Sequence, residues 1–238
     1  MPVTAAITAT STSDASRGAA LLRLCQLVSP ALPVGAFNFS QGLEYAVGAG
    51  WVGDEPTAAD WIDGLMQNAV GTLDVPILYR LHGAWSCGDG AAVRRWSRRL
   101  IAARETAELR AEDRHLATAL AKVLAGLGID AARDWQATPD ASFAAVFALA
   151  AWHWRIGADE MAWGYLWAWT ENQVLGAVKL IPLGQTAGQR LLDRLIDRIP
   201  QVAARARSIA DDDIGVQAPL QAIASALHET QYTRLFRS

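Results

Sequence analysis

One segment of the sequence, residues 158–181, strongly limits the folds that the chain can adopt. It contains no proline, and its apolar side chains leave no fully polar side when they are placed at the helical period. A helix of this length that is apolar all round must lie inside a bundle or against a partner. Five of the ten tryptophans of the chain fall between Trp152 and Trp169. We therefore expect this region to be the packing centre of a helical protein.

The rest of the sequence also predicts helices, which short breaks rich in proline and glycine separate. No run of alternating β-branched residues indicates a β-hairpin. We therefore predict an all-α fold, a single-domain bundle of about ten helices that covers residues 19–238. Residues 1–18 are rich in serine, threonine and alanine, with almost no large apolar side chain. Such a segment cannot offset its ordering entropy, so we expect a flexible N-terminal tail and a first helix that begins near residue 19.

Several local features carry specific expectations. Cys25 is expected on the apolar face of the first helix. Ser40 is suited to cap the helix that follows it. Residues 91–127 form a long charged stretch with an apolar stripe at helical spacing, and Arg104 and Glu108 are spaced to pair on its solvent-facing side.

The composition excludes several functional classes. Hydrophobic residues make up 52% of the chain and charged residues 19%, which suits a sizeable core. The formal net charge of −3 gives no bulk field that would attract nucleic acid. Cys25 and Cys87 are far apart and form no CxxC pair, so a reducing cytoplasm is the expected location. We expect no secretory signal and no membrane span; the apolar stretch 141–154 is shorter than the roughly 20 residues that a spanning helix needs.

The residues alone indicate no enzymatic site. The phosphate-binding pattern GxxxxGK[ST] and the nucleophile motif GxSxG are both missing. Glu112 and His115 form the only Glu-x-x-His pair, and their charged surroundings favour a solvated face. His153 is expected to be a core histidine. We predict no enzyme activity and no cofactor, while a helical enzyme with a metal or haem buried in the tryptophan-rich bundle stays open as the alternative.

Three segments carry a family resemblance. Residues 29–37 read SPALPVGAF and are followed by SQGLE at 40–44, residues 179–186 read KLIPLGQT, and residues 228–238 read HETQYTRLFRS. A weaker match covers RETAELR at 104–110. In this order and at these separations they resemble the UreF family of urease accessory proteins, and the resemblance extends over roughly residues 19–238.

The resemblance implies a non-catalytic role in urease maturation. Proteins of this family are all-helical homodimers that act as nickel-insertion chaperones. Each dimer binds two copies of UreD, also called UreH, which docks on the urease apoprotein. The same platform receives UreG, a GTPase that carries nickel. The family member places and regulates UreG and does not itself hydrolyse GTP.

The resemblance also implies a site for partners and no metal site. Tyrosine, arginine and phenylalanine, which the C-terminal tail supplies, are enriched in interface cores. We expect few neighbours for this tail within its own chain, so that it orders against a partner and folds back near the start of the second helix when UreD is bound. The partner-binding residues implied are Ser40, Glu44, Tyr45, Lys179, Tyr232, Arg234 and Phe236.

Overall fold

The computed structural model describes the backbone of residues 4–237 and the side chains of residues 14–237. Within residues 4–237 the chain forms eleven α-helices and no β-strand, which confirms the predicted all-α class. The helices are α1 (Thr4–Leu27), α2 (Leu43–Gly48), α3 (Glu55–Leu65), α4 (Val75–Ser86), α5 (Gly90–Ala102), α6 (Ala107–Gly126), α7 (Phe143–His153), α8 (Ala158–Leu180), α9 (Gln185–Ile196), α10 (Ile199–Ser208) and α11 (Pro219–His228). A π-helical segment, Met66–Asp74, joins α3 to α4 without a break.

The first helix begins earlier than the sequence predicted. Helix α1 starts at Thr4, whereas a start near residue 19 was expected. Residues 1–3 of the predicted tail, and Ser238 at the other end, lie outside the described residues, and the flexibility of the tail stays a prediction. Cys25 is exposed, so its expected place on the apolar face is wrong. Leu24 takes the inner position instead, where Gly164 of α8 leaves room for it.

Two helices lie at the centre of the packing: α7, and the tryptophan-rich α8, which contacts α1, α2, α3, α4, α7, α9 and α10. Every residue from 144 to 151 is buried, and α7 packs between α4 and α6. Five of these eight buried residues are alanine, so neighbouring helices can approach α7 closely. The expectation of a packing centre in this region is confirmed for α8 but is wrong for Trp152 and Trp163, which are 40% and 42% exposed. Helix α8 packs instead through smaller buried residues such as Leu166 and Val174.

The charged stretch 91–127 is divided into α5 and α6 by a loop that carries Arg104. The guanidinium of Arg104 donates to both carboxylate oxygens of Asp74, at 3.0 and 2.5 Å, and to Asp113 at 2.9 Å. The predicted pair between Arg104 and Glu108 is therefore wrong. Tyr165 of α8 also donates to Asp74, at 3.0 Å. This ion cluster joins the π-helical segment, the loop before α6, α6 itself and α8.

Burial and charge act together in this ion cluster. Burial alone would lower the pKa of Arg104, but Asp74 and Asp113 raise it well above its ordinary value. Burial raises the pKa of Asp113, although Arg104 and the amide of Phe143 favour its ionised form. The arginine therefore stays charged and compensates two carboxylates that the fold has removed from water.

The solvated-face interpretation of Glu112 and His115 is only half correct. His115 is exposed, but Glu112 is buried on the inner side of α6 and accepts a hydrogen bond from Gln41 at 2.8 Å. The expectation of a core histidine at position 153 is wrong, because His153 ends α7 at the surface. None of the helices within residues 4–237 is both long and apolar enough to cross a lipid bilayer.

A glycine in the π-helical segment permits a close helix contact, and this gives a stability prediction. A Cβ atom at Gly71 would lie 2.6 Å from a methyl group of Val202 and 2.7 Å from the carbonyl oxygen of Met66. We expect Gly71→Ala to lower the free energy of unfolding by about 1–3 kcal/mol, because the backbone carbonyl cannot move aside cheaply. Urea denaturation followed by circular dichroism measures the loss.

The matched control is Gly64→Ala in α3. Nothing lies within 4 Å of a Cβ atom at Gly64. Because alanine is favoured over glycine in a helix, this variant should be as stable as the parent or more stable by up to about 1 kcal/mol. Equal stability of the two variants would show that the contact between Gly71 and α10 is not close.

Candidate functional site

The segment after α11, residues 229–237, folds back onto the start of α2. The backbone amides of Leu235 and Phe236 donate to the two carboxylate oxygens of Glu44, at 2.6 and 2.8 Å. The amide of Arg237 donates to the carbonyl of Asn38 at 2.8 Å. We call residues 229–237 the C-terminal segment. The family resemblance implied this place for the state with UreD bound, and the dependence on UreD stays a prediction.

The sequence shapes the start of α2 to receive this segment. Gly42 has a left-handed backbone with φ of 88°, and a Cβ atom there would lie 3.0 Å from both Ala224 and the amide of Ser225. Only glycine fits both the backbone conformation and the close approach of α11. Ser40 is buried and its hydroxyl accepts the amide of Glu44 at 3.3 Å. Helix α2 is thus held against α11 with the carboxylate of Glu44 directed at the C-terminal segment.

A chain of ionisable groups connects α2, α6, α11 and the C-terminal segment. The Nε2 atom of His228 lies 3.1 Å from Glu44, and its Nδ1 atom lies 2.7 Å from Glu108. The other carboxylate oxygen of Glu108 accepts from Arg234 at 2.8 Å. We call Glu44, Glu108, His228 and Arg234 the C-terminal clasp. The clasp ties the last residues of the chain to two helices distant in sequence.

Two residues of the clasp were absent from the predicted site. His228 is fully buried, and Glu108 sits in the first turn of α6. Both fall within the matched motifs, since His228 opens the segment 228–238 and Glu108 lies in the weaker match 104–110. Their membership in the motifs was the only signal in the sequence that could have identified them.

Lys179 and Phe236 form a second contact between the C-terminal segment and the rest of the chain. Phe236 is buried, and the Nζ atom of Lys179 lies 5.6 Å from the centre of its ring and 5.7 Å from the ring of Phe37. A cation over an aromatic face gains about 0.5–1 kcal/mol at exposed sites. Lys179 is itself exposed at the end of α8. The structure therefore brings Lys179 and the C-terminal segment to one surface.

Tyr45 and Tyr232 are not drawn into the clasp. Tyr45 packs edge-on against Trp51, with ring centres 5.6 Å apart. Tyr232 is fully exposed, and Leu235 is 67% exposed. The expectation that the tail has few neighbours within its own chain is wrong for Arg234 and Phe236. The reason is that Glu44 accepts the successive backbone amides of Leu235 and Phe236, while Glu108 pairs with Arg234.

A cavity of about 320 Å³ opens beside this surface. Apolar residues of the loop before α2 line it, including Leu32 and Phe37, together with Leu175 of α8. Burial raises the pKa of Glu171, which also lines the cavity.

Among the described residues 4–237, no group of three or more histidine, cysteine or acidic side chains could hold a metal ion.

Comparison with known proteins gives a consistent result. The profile of the UreF family matches residues 52–196. A protein of Alkalilimnicola ehrlichii is 48% identical over 95% of this chain and 99% of its own length. Proteins of Hahella chejuensis and Teredinibacter turnerae are 46% and 44% identical, each over 92% of this chain and 98% of its own. All three are named urease accessory protein UreF.

Proposed function

Since this chain belongs to the UreF family of urease accessory proteins, we propose that it is the scaffold on which nickel is inserted into urease. In this proposal the chain forms a homodimer in the cytoplasm and binds UreD, also called UreH, on the urease apoprotein. It then recruits the nickel-carrying GTPase UreG and regulates it. Nickel is the cargo of the complex, and the chain catalyses no reaction and holds no cofactor.

The observation that carries this proposal is the surface built by the C-terminal clasp. It presents the charged side chains of Lys179 and Arg234 beside the exposed apolar side chains of Phe37, Leu235 and Tyr232. Aromatic residues and arginine at the centre of a surface are the usual anchors of protein interfaces. We propose this surface as the one that receives UreG.

A second feature supports a role in assembly. Helix α11 carries Leu220, Ile223 and Leu227 with 56%, 47% and 41% of their surfaces exposed. Apolar side chains at this spacing share one helical face. Contiguous exposed apolar surface is typical of proteins that work in complexes. A scaffold needs such surfaces more than it needs a nucleophile.

The first functional prediction concerns the two exposed cations of the site. We expect Lys179→Ala and Arg234→Ala each to weaken capture of UreG by the complex with UreD by about five- to thirtyfold, that is by about 1–2 kcal/mol, the loss typical of an interface residue that contributes without being a hot spot. The fold should persist, because Lys179 is exposed and Arg234 pairs with Glu108 near the surface. Co-expression with UreD, size exclusion with mass detection, and titration with UreG measure the effect.

Lys122→Ala is the matched control, since Lys122 is the only other lysine of the chain and is exposed on α6. It should bind UreG as the parent does. Normal UreG binding by Lys179→Ala and Arg234→Ala would remove these residues from the site. Folded parent protein that binds neither UreD nor UreG would instead overturn the scaffold proposal itself.

A further inference from the structure

The cavity beside the C-terminal segment has the size of a small-molecule site. Its volume of about 320 Å³ lies at the lower end of the roughly 300–1,000 Å³ that is usual for ligand pockets. The loop before α2, the π-helical segment, α6, α7 and α8 supply most of its walls. Most of the side chains that line it are apolar, so the cavity can take up the apolar body of a ligand.

The charges along the walls of the cavity are unbalanced. Among the lining residues that the structure describes, Arg104 is the one base, and Asp74 and Asp113 already engage it. The acidic lining residues are Asp74, Glu105, Glu112, Asp113 and Glu171. Since one guanidinium serves two aspartates, the glutamates leave the cavity with an excess of negative charge. A cavity of this charge attracts a cationic ligand.

Glu171 is the acid that a ligand would contact with the least competition. Within the described part of the chain its carboxylate has no hydrogen-bond or ion-pair partner, whereas Glu112 accepts a hydrogen bond from Gln41 at 2.8 Å. The side chain of Glu171 is half-buried, and burial raises its pKa. Burial without a partner disfavours the ionised carboxylate. A cation bound beside Glu171 would offset this cost.

Gln41 and Trp169 build a fixed polar wall of the same cavity. Gln41 has a φ of 54°, in the left-handed region that few residues other than glycine adopt. Its side chain accepts the indole N–H of Trp169 at 2.8 Å and donates to Glu112. An uncommon backbone conformation of this kind is often kept where it serves a binding site. The hydrogen bond holds the ring of Trp169, which lines the cavity two residues before Glu171.

An organic cation suits these walls better than a metal ion does. Metal ions that bind to carboxylates require several ligands, and no group of three or more histidine, cysteine or acidic side chains within residues 4–237 could hold one. An ammonium or guanidinium group needs only a carboxylate and an aromatic face, and tryptophan is the aromatic residue that attracts such cations most strongly.

We propose that the cavity binds a small amphipathic organic cation, whose ammonium or guanidinium group lies at Glu171 and Trp169 and whose apolar body fills the remaining space. Apolar residues of the loop before α2, such as Leu32, and Leu175 of α8 would contact the apolar body. The site lies within one chain and needs neither UreD nor UreG. Its test is therefore separate from the tests of the proposed function.

The test compares three probes that share one apolar body. Phenethylamine is the cation, phenethyl alcohol its neutral analogue and phenylacetate the anion. The indole N–H signal of Trp169, assigned by its loss in Trp169→Phe, follows each titration of the full-length protein by NMR. We expect a saturable shift and about five- to tenfold tighter binding of the amine than of the alcohol, with the anion weakest. Equal affinities for amine and alcohol, or no shift at all, would overturn the proposal.

Glu171→Gln removes the charge and keeps the shape of the side chain. It should weaken binding of phenethylamine by about five- to tenfold, between the effect of an exposed ion pair and that of a buried charged hydrogen bond, and leave phenethyl alcohol unaffected. Glu160→Gln changes an exposed glutamate of α8 outside the cavity and should bind both as the parent does.

Two results would contradict this assignment. Parental affinity of Glu171→Gln for phenethylamine would show that the carboxylate does not hold the cation. Displacement of phenethylamine from the parent protein by nickel ions would show a metal site instead. Because Glu171 has no hydrogen-bond or ion-pair partner among the described residues, its variant should keep the parental urea midpoint, so that a loss of binding reports on the site.

Discussion

Replacing Arg104 by methionine is expected to lower the free energy of unfolding by about 3–5 kcal/mol, the usual loss when one partner of a buried ion cluster is removed. Methionine can occupy much of the space of the arginine stem, so the loss comes mainly from charge. Asp74 and Asp113 would remain buried without the guanidinium that now contacts both. Urea denaturation near neutral pH measures the change.

The loss should depend on pH in a defined direction. Burial already raises the pKa of Asp113, and removal of Arg104 takes away the main charge that opposes this rise. A carboxyl group whose pKa is raised by folding stabilises the folded state below that pKa and loses this contribution as the pH rises through it. The destabilisation by Arg104→Met should therefore be largest near neutral pH and shrink as the pH falls and Asp113 takes up a proton.

Arg98→Met is the matched control for this experiment. Arg98 pairs with Asp140 at 3.0 Å, but its side chain is 61% exposed. Exposed pairs contribute about 0–1 kcal/mol, so this variant should be nearly as stable as the parent at every pH. A similar small loss for Arg104→Met would show that water reaches the cluster and that its charges do not depend on one another.

The sequence predicted the class of the fold because helical periodicity and chain breaks are local properties. Helix α8 was expected over residues 158–181 and ends one residue earlier, since Gly157 and Pro182 delimit it. The contact of Arg104 with Asp74 could not be predicted in this way, because 30 residues separate them. Helical spacing suggested Glu108 as a partner for Arg104, but the loop between α5 and α6 directs Arg104 inward.

The burial of individual polar residues could also not be predicted from the local sequence pattern. His153 lies between two tryptophans and was expected in the core, yet it ends a helix at the surface. His228 stands in a polar motif and is fully buried, because α2 and α6 supply carboxylates on both sides of it. The neighbours that decide these outcomes come from other helices, so only the family resemblance pointed to this region of the chain.

The second large effect is expected from Glu44→Gln, which should open the C-terminal segment. Two backbone amides and His228 now approach the carboxylate of Glu44. A glutamine keeps one acceptor oxygen but presents an NH2 group to a donor that it cannot satisfy. A hydrogen bond to a charged group contributes about 1.5–3 kcal/mol, so the open population of the C-terminal segment should increase by roughly ten- to 150-fold.

This effect should remain local, in contrast to that of Arg104→Met. The segment contacts the start of α2, the first turn of α6 and the end of α8, so opening need not unfold the core. Hydrogen exchange at Phe236 should therefore accelerate strongly while the urea midpoint changes little. Glu105→Gln, which alters an exposed glutamate near the start of α6, should leave both unchanged. Because the clasp holds Phe236 beside Lys179 and Arg234 against Glu108, Glu44→Gln should also weaken UreG capture. Intact capture with an open segment would mean that UreG binds elsewhere.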